Sequence, residues 1–319
     1  MKASHTAAFL SLAALAAPLA QAADVDTDSR RTVVDNQRFS GSLFTGTLHN
    51  KSQERVFTPD GNRLSQLNWR TASAPVIGAD FRFRIDERWT WDTQAWTKVA
   101  SGGTRMRDYD FEGIDEGLAD WTDRSTHPQT TLRKASGIDT RVGYTFASTG
   151  DFSFRGLAGY RYKELSWDGN GGSGVYSSQY QEADGFRDTV EAFDGKGITY
   201  TQRWRAPYLG IATDFQRGKW TVSGELTGSL WARGTDRDNH IPRNYISSLR
   251  GGNSKMIGAS VKADYAIDSR WSLSARTSYE KYYETRGTGR GTLEGEPIAL
   301  GASAANRSMM FNVGATYRF

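Results

Sequence analysis

Apolar and polar residues alternate along most of this chain. Trp220, Val222, Gly224, Leu226, Gly228 and Leu230 take one side of an extended segment, and Thr221, Ser223, Glu225, Thr227 and Ser229 take the other. The same rhythm recurs in Ile77-Ala79-Phe81-Phe83-Ile85 and in Trp271-Leu273-Ala275-Thr277-Tyr279. A period of two predicts strands with one apolar and one polar face. Short polar turns interrupt the pattern at 86–88, 148–151, 216–219 and 268–270, and Gly-, Asp- and Ser-rich stretches near 57–63, 107–130, 168–196, 235–244 and 286–305 read as long loops. Four tight turns and five long loops predict ten strands. The pattern predicts several strands of about twenty residues, roughly 65 Å of chain, where a tilted strand crosses a bilayer in about 10.

The chain ends decide what this alternation means. A mean hydropathy of -0.61, 12% aromatics and 34 glycines fit a soluble β protein or a membrane barrel equally well, because barrel strands dilute each outward apolar residue with an inward polar one. At the C-terminus Phe311, Val313, Ala315, Tyr317 and Phe319 share one side, and a last strand that stops on an aromatic resembles the terminal strand of bacterial outer-membrane barrels. The alternative is a terminal strand in a soluble sheet. At the other end, Lys2 and His5 precede an apolar run from Ala7 to Leu19 and the triplet Ala20-Gln21-Ala22. That pattern predicts a signal peptide over residues 1–22, too short for a spanning helix, followed by one domain over 23–319. The expected fold is all-β: a ten-stranded antiparallel transmembrane barrel extending above the outer membrane. Trp89, Trp91, Trp220 and Trp271, close to the tight turns, are placed for a periplasmic aromatic belt.

Cysteine is absent, which removes disulfides, thiolate metal sites and a cysteine nucleophile. The net charge of +4 is modest: it fits a surface facing anionic lipid head groups but says little alone, and no nucleic-acid partner is expected. Three histidines remain in the mature chain: His49, His127 and His240. His240 closes the run Asp236-Arg237-Asp238-Asn239-His240, and in extended geometry Asp238 and His240 share a face. A carboxylate there can orient or polarise an imidazole. The second acidic pair, Asp108-Tyr109-Asp110, also sits at an external strand end with both carboxylates on one face. Across a barrel lumen the two pairs can flank a water, with His240 as general base, Asp238 orienting it, and Asp108 with Asp110 holding the water. Each pair alone also suits a solvated or cation-binding surface. One His with carboxylates could ligate a divalent ion, although no dedicated ligand spacing is present. Ser125 beside His127 fits a chance pair in a polar loop, and His49 fits a structural or exposed role.

Ordered motifs along the mature chain add a family resemblance. Gly46-Thr47-Leu48, Gln53-Glu54-Arg55-Val56, Ser65-Gln66-Leu67-Asn68-Trp69, Met106-Arg107-Asp108-Tyr109-Asp110, Trp121-Thr122-Asp123, His127-Pro128, Gly185-Phe186-Arg187-Asp188, Gln202-Arg203, Pro207-Tyr208-Leu209-Gly210 and Asp236 to His240 together resemble the omptins, outer-membrane endoproteases on a ten-stranded barrel. The resemblance implies a catalytic site of Asp108, Asp110, Asp238 and His240 around a water nucleophile. It implies a pocket for a substrate Arg or Lys lined by the acids Glu54 and Asp236, with Met106 and Ile198 as walls, and an adjoining primed pocket carrying Asp123. It implies no cofactor, but lipopolysaccharide as an activator bound through basic residues, of which Arg203 matches one. The partner position aligns with Glu164, beside Lys163, and Arg250 is a substitute across a loop of different length. The expected function is an outer-membrane endopeptidase with its site facing outward, acting on polypeptides with basic residues, host proteins among them. The rival readings are a non-catalytic or dual-role adhesin, and a pore, which inward side chains in so narrow a barrel would fill.

Overall fold

Alternation becomes thirteen strands in the computed structural model, which describes residues 38–112, 120–180 and 183–319. In chain order they are β1 (Phe39–Phe57), β2 (Arg63–Arg84), β3 (Trp89–Lys98), β4 (Gly103–Asp110), β5 (Asp123–His127), β6 (Thr131–Thr149), β7 (Phe152–Tyr176), β8 (Thr189–Arg217), β9 (Trp220–His240), β10 (Tyr245–Gly251), β11 (Ser254–Ala266), β12 (Trp271–Leu293) and β13 (Glu296–Arg318). The expected signal peptide, residues 1–22, and the segment up to residue 37 lie outside the described residues. Every pairing is antiparallel, and β1 pairs with β13 along nearly its whole length, which closes the sheet into a barrel.

Thirteen segments make ten staves. The lower half of β2 pairs with β3 and its upper half with β4, so β3 and β4 are one stave interrupted at residues 99–102. β5 and β6 share a stave in the same way, one pairing with β4 and the other with β3, and β10 with β11 together fill the space between β9 and β12. Pro128 lies in the β5–β6 break, where its missing N–H cannot serve the ladder.

The strands outlast the alternation that predicts them. β8 is 29 residues long, against about 10 needed to cross the membrane. The expected long loops at 168–196, 235–244 and 286–305 are therefore largely strand: β7 runs to Tyr176, β9 through His240, and β12 and β13 meet at a two-residue turn. Above the bilayer the outer face meets water rather than lipid and the buried inner face carries acids and small polar residues beside apolar ones, so no continuous apolar face marks these segments, and backbone pairing forms them regardless of side-chain alternation.

Outward apolar residues form the membrane band, among them Leu43, Ile77, Ile138, Leu209, Ile211, Leu226, Leu273 and Val313. Two periplasmic turns use one device. In Asp86-Glu87-Arg88-Trp89 and Asp268-Ser269-Arg270-Trp271 the first carboxylate accepts the N–H groups of the Arg and the Trp, the Arg donates to Tyr144 or Tyr317, and the Trp packs on that tyrosine at 4.8 or 4.9 Å. Trp89, Trp91 and Trp271 are exposed and Trp220 is half-buried on Tyr265, so the expected periplasmic belt is present.

Ion pairs fill the lower lumen: Arg141–Glu225 at 2.6 Å, Arg155–Asp214 at 3.0 Å, Arg276–Asp80 at 3.1 Å, and Glu280 between Arg161 at 3.3 Å and Lys163 at 3.0 Å. A cavity of about 570 Å³ opens at the periplasmic end among these charges. Higher up, Trp69 stacks between Trp167 at 5.6 Å and Tyr200 at 5.4 Å, all three fully buried. Gln202 of β8 reaches across to the carbonyls of Gln53 and Ala305 at 3.4 Å each and to Asn306. This layer is the floor on which the upper chamber rests.

Candidate active site

Inward positions of the upper strands are acidic, and register decides which acids meet. Glu54, Leu67, Asp108 and Ser125 form one cross-strand row through β1, β2, β4 and β5. On the far side of the lumen, Asp236 lies beside Gln202 and Leu249, Asp238 beside Tyr200 and Ser247, and His240 beside Ile198 and Tyr245. Inward alternation along β9 thus stacks Asp236, Asp238 and His240 on one face. Relative exposure is 1% for Glu54, 5% for Asp108, 5% for Asp236 and 1% for Asp238, values that charged groups adopt only when paired or protonated.

Nε2 of His240 lies 2.7 Å from Oδ2 of Asp238, whose Oδ1 has no hydrogen-bond partner. Burial disfavours the charged ring, but the Asp238 carboxylate outweighs it, with help from Asp108, and raises His240 to about 9. Burial also pushes Asp108 upward, against the opposing pull of His240 and of the Ser65 hydroxyl, which donates to Oδ1 at 3.0 Å. Burial and the neighbouring Asp108 raise Asp110 to about 7. The two pairs read from the sequence, on opposite walls, therefore feel each other's charge.

The remaining acids, Glu54 and Asp236, form a buried anionic cluster. Asp236 accepts the Tyr200 hydroxyl at 3.1 Å and the Leu249 N–H at 3.1 Å, and burial still carries it to about 7. Burial and the charges of Asp236, Asp238 and Asp108 hold Glu54 well above the usual carboxylate range, and its Oε2 has no hydrogen-bond partner. Met106 is 1% and Ile198 2% exposed, each on a strand that carries a site residue. Asp123 is placed differently. Its carboxylate accepts the Ser177 N–H at 2.7 Å and the Thr122 hydroxyl at 3.0 Å, so it ties the β7–β8 connection to the β4–β5 connection.

Several neighbours had no sequence signal. Arg243 follows Pro242 in the β9–β10 turn, before Asn244 at φ 46°, and its guanidinium lies 3.6 Å from Asp110. Ser65 and Tyr200 serve the acids from β2 and β8. Their spacing from the motifs is set by barrel register, which is why only Asn244, a residue suited to a left-handed turn, hinted at the loop. Burial favours the neutral ring of His127, against the opposing Gly171 carbonyl, to which Nδ1 donates at 2.8 Å; Nε2 lies 3.3 Å from the Ser125 hydroxyl. Among the described residues no carboxylate is hydrogen-bonded to this Ser–His pair. His49 is exposed on the outer face of β1.

Arg203 faces outward on β8 and is paired with Glu164 at 3.4 Å; Glu164 also takes Lys134 at 3.2 Å and the Tyr162 hydroxyl at 2.8 Å. Arg250 falls in the same cross-strand row, with Thr235 between it and Arg203. Lys163 points inward to Glu280. Among the described residues no group of three or more His, Asp or Glu converges as a metal site.

Known proteins agree with this architecture. The Omptin family model matches residues 35–319. The Plasminogen activator of Yersinia pestis is 28% identical over 288 residues, 88% of this chain and 89% of that protein. The Outer membrane protease OmpP of Escherichia coli K12 is 30% identical over 236 residues, 72% of this chain and 73% of that protein. The crystal structure of outer membrane protease OmpT from Escherichia coli superposes with a TM-score of 0.83 at 23% identity, covering 88% of this chain and 97% of that one. A closed ten-stave barrel with an acidic external chamber, matched by one family model across nearly its whole length, makes this chain a member of the omptin family, an endopeptidase of the bacterial outer membrane.

Proposed function

We propose that this omptin cleaves polypeptides on the C-terminal side of Arg or Lys, with water as the nucleophile between the Asp108–Asp110 pair and the Asp238–His240 couple. The observation that carries the specificity is the socket: Glu54 is almost fully buried with a carboxylate oxygen that has no partner, beside a buried Asp236. An unpaired buried carboxylate is costly, and a guanidinium or ammonium entering the socket relieves that cost where a neutral side chain cannot. Met106 and Ile198 then face the aliphatic stem.

In the proposed reaction the water oxygen attacks the scissile carbonyl carbon while its proton passes to Nδ1 of a neutral His240, whose Nε2–H donates to Asp238. The imidazolium, held by Asp238, returns that proton to the leaving amine as the carbon–nitrogen bond breaks. Asp108 and Asp110 hold and polarise the water. A ring at about 9 is mostly protonated at neutral pH, so the base form is scarce in the empty enzyme. A substrate cation in the adjoining socket lowers that value, because a nearby positive charge disfavours imidazolium. The substrate therefore helps generate its own base.

Lipopolysaccharide as an activator belongs to the same proposal, supported by the outward Arg203 and by Arg250 in its row. Glu164 competes for Arg203, so Glu164→Gln is expected to strengthen the lipid's effect. The test of the whole reading is hydrolysis of a fluorogenic peptide with a central Arg-Arg, with and without lipopolysaccharide, by the refolded protein and its His240→Ala and Glu54→Gln variants. Cleavage after Arg that vanishes in His240→Ala supports it. Cleavage indifferent to His240, or equal for peptides with norleucine in place of Arg, would refute it.

A further inference from the structure

The outer surface of the barrel carries a charge arrangement that the catalytic chamber does not use. Lys281 of β12 lies directly beside Arg307 of β13, Arg307 beside Lys51 of β1, Lys51 beside Arg70 of β2, and Arg70 beside Arg105 of β4. Five adjoining staves thus each present one cation in one unbroken cross-strand row. Lys51, Arg70, Arg105 and Arg307 are exposed, and Lys281 lies over the Tyr283 ring at 4.2 Å. Like charges directly opposite each other on neighbouring strands repel. The charges of Arg307, Arg70 and Arg105 accordingly push the Lys51 ammonium below its usual range.

Some cations elsewhere on the outer surface are neutralised, as in Arg55–Glu284 at 3.3 Å and Arg203–Glu164 at 3.4 Å. Among the described residues none of the five has an ion-pair partner. The acids of this region, Glu54, Asp108 and Glu280, are on the inward alternation of their strands. The row also has a defined height. Arg307 is the next outward position above Met309 and Phe311, which are 47% and 46% exposed in the membrane band. With strands about 4.8 Å apart the row is roughly 19 Å long, and strand tilt makes it run obliquely through the head-group zone.

We propose that this row docks the phosphate groups of outer-leaflet lipid, with the acyl chains lying on the apolar surface beneath it. Three of the five residues are arginines, whose planar fork takes a phosphate through two hydrogen bonds. Continuity with the band selects lipid over a soluble polyanion, because only a lipid engages both surfaces at once. The site is separate from the Arg203 region: around the ten staves, β1 at the centre of the row and β8, which carries Arg203, are diametrically placed.

The test is thermal unfolding of the refolded protein in zwitterionic detergent, alone and with bisphosphorylated lipid A, dephosphorylated lipid A or a heparin fragment. Lys51→Gln/Arg70→Gln/Arg105→Gln/Arg307→Gln is compared with wild type and with Arg203→Gln. Without lipid the quadruple variant is expected to unfold at a higher temperature than wild type, since the repulsion is gone. Bisphosphorylated lipid A should raise the wild-type and Arg203→Gln transitions and lose most of that effect on the quadruple variant. An equal shift in the quadruple variant, or an equal shift of wild type by the dephosphorylated lipid, overturns the proposal. A heparin shift as large as that of lipid A overturns the choice of lipid. Should the quadruple variant not refold, Lys51→Gln/Arg70→Gln is read by the same criteria.

Discussion

At the scale of single residues, His240 is caught between burial and Asp238, and the balance sets a pH dependence. For kcat/KM, which reports the free enzyme, activity should rise with pH until His240 loses its proton at about 9. For kcat, which reports the complex, the same limb should lie at lower pH because the bound cation opposes the imidazolium. Coincident limbs in a pH–rate series would contradict the substrate-assisted step. His240→Ala and Asp108→Ala should each lower kcat/KM by roughly 10²–10⁴, measured with the Arg-Arg peptide. Asp236 carries a linked stability effect: its folded value of about 7 is raised above the ordinary 3.8. Its contribution is therefore present at low pH and is lost as pH rises toward and through 7. Asp236→Asn should accordingly resist denaturant better than wild type at pH 8 while losing activity, and an unchanged denaturation midpoint would show that no such strain exists. The motifs Asp108–Asp110 and Asp238–His240 were legible because each is two residues apart on one strand. Ser65, Tyr200 and Arg243 were not, because their approach depends on which strands adjoin or face each other.

At the scale of elements, the tight turns were readable and the external boundaries were not. Turn residues such as Asp86 and Asp268 carry their own hydrogen-bond logic in the sequence, whereas the upper parts of β7 and β12 are polar and glycine-rich and those of β8 and β13 mix small, apolar and polar residues without a regular period of two. Those glycines include contacts that the site needs. At Gly169 of β7 a Cβ would fall 2.7 Å from Cγ2 of Ile198, and a branched side chain in a packed wall has little room to yield. Gly169→Ala is expected to push Ile198 into the socket. The signature is a higher KM for Arg and Lys peptides with kcat less affected, and an unchanged KM would mean that the wall can give way. The turn carrying Arg243 makes a second prediction at this scale. Its guanidinium beside Asp110 favours the charged carboxylate, so Arg243→Ala should raise the Asp110 value and move the acidic limb of the rate profile to higher pH.

At the scale of the whole molecule, the barrel separates into an apolar-coated lower half locked by internal ion pairs and an upper half whose lumen is the chamber. The Trp69–Trp167–Tyr200 layer and the Gln202 bridge lie between them. Closure into ten staves followed from counting turns, since each turn must return the chain; the broken staves were hidden because a break without reversal leaves no turn signature. The filled lumen argues against a pore, and it ties stability to specific charges. Arg161 serves Asp139 and Glu280 together, so Arg161→Ala leaves two partly buried carboxylates with less compensation than before. Removing one partner of a buried pair typically costs about 3–5 kcal/mol, while replacing Arg161, both acids and Lys163, the other partner of Glu280, with apolar residues should cost far less. Urea unfolding in detergent, followed by the mobility difference between folded and unfolded barrel on a gel, measures both variants. If the single and the fourfold apolar variants unfold at the same urea concentration, the network is filler and the chamber stands on its aromatic floor alone. If only the single variant is weakened, unpaired lumenal charge is the penalty that the wild-type network avoids.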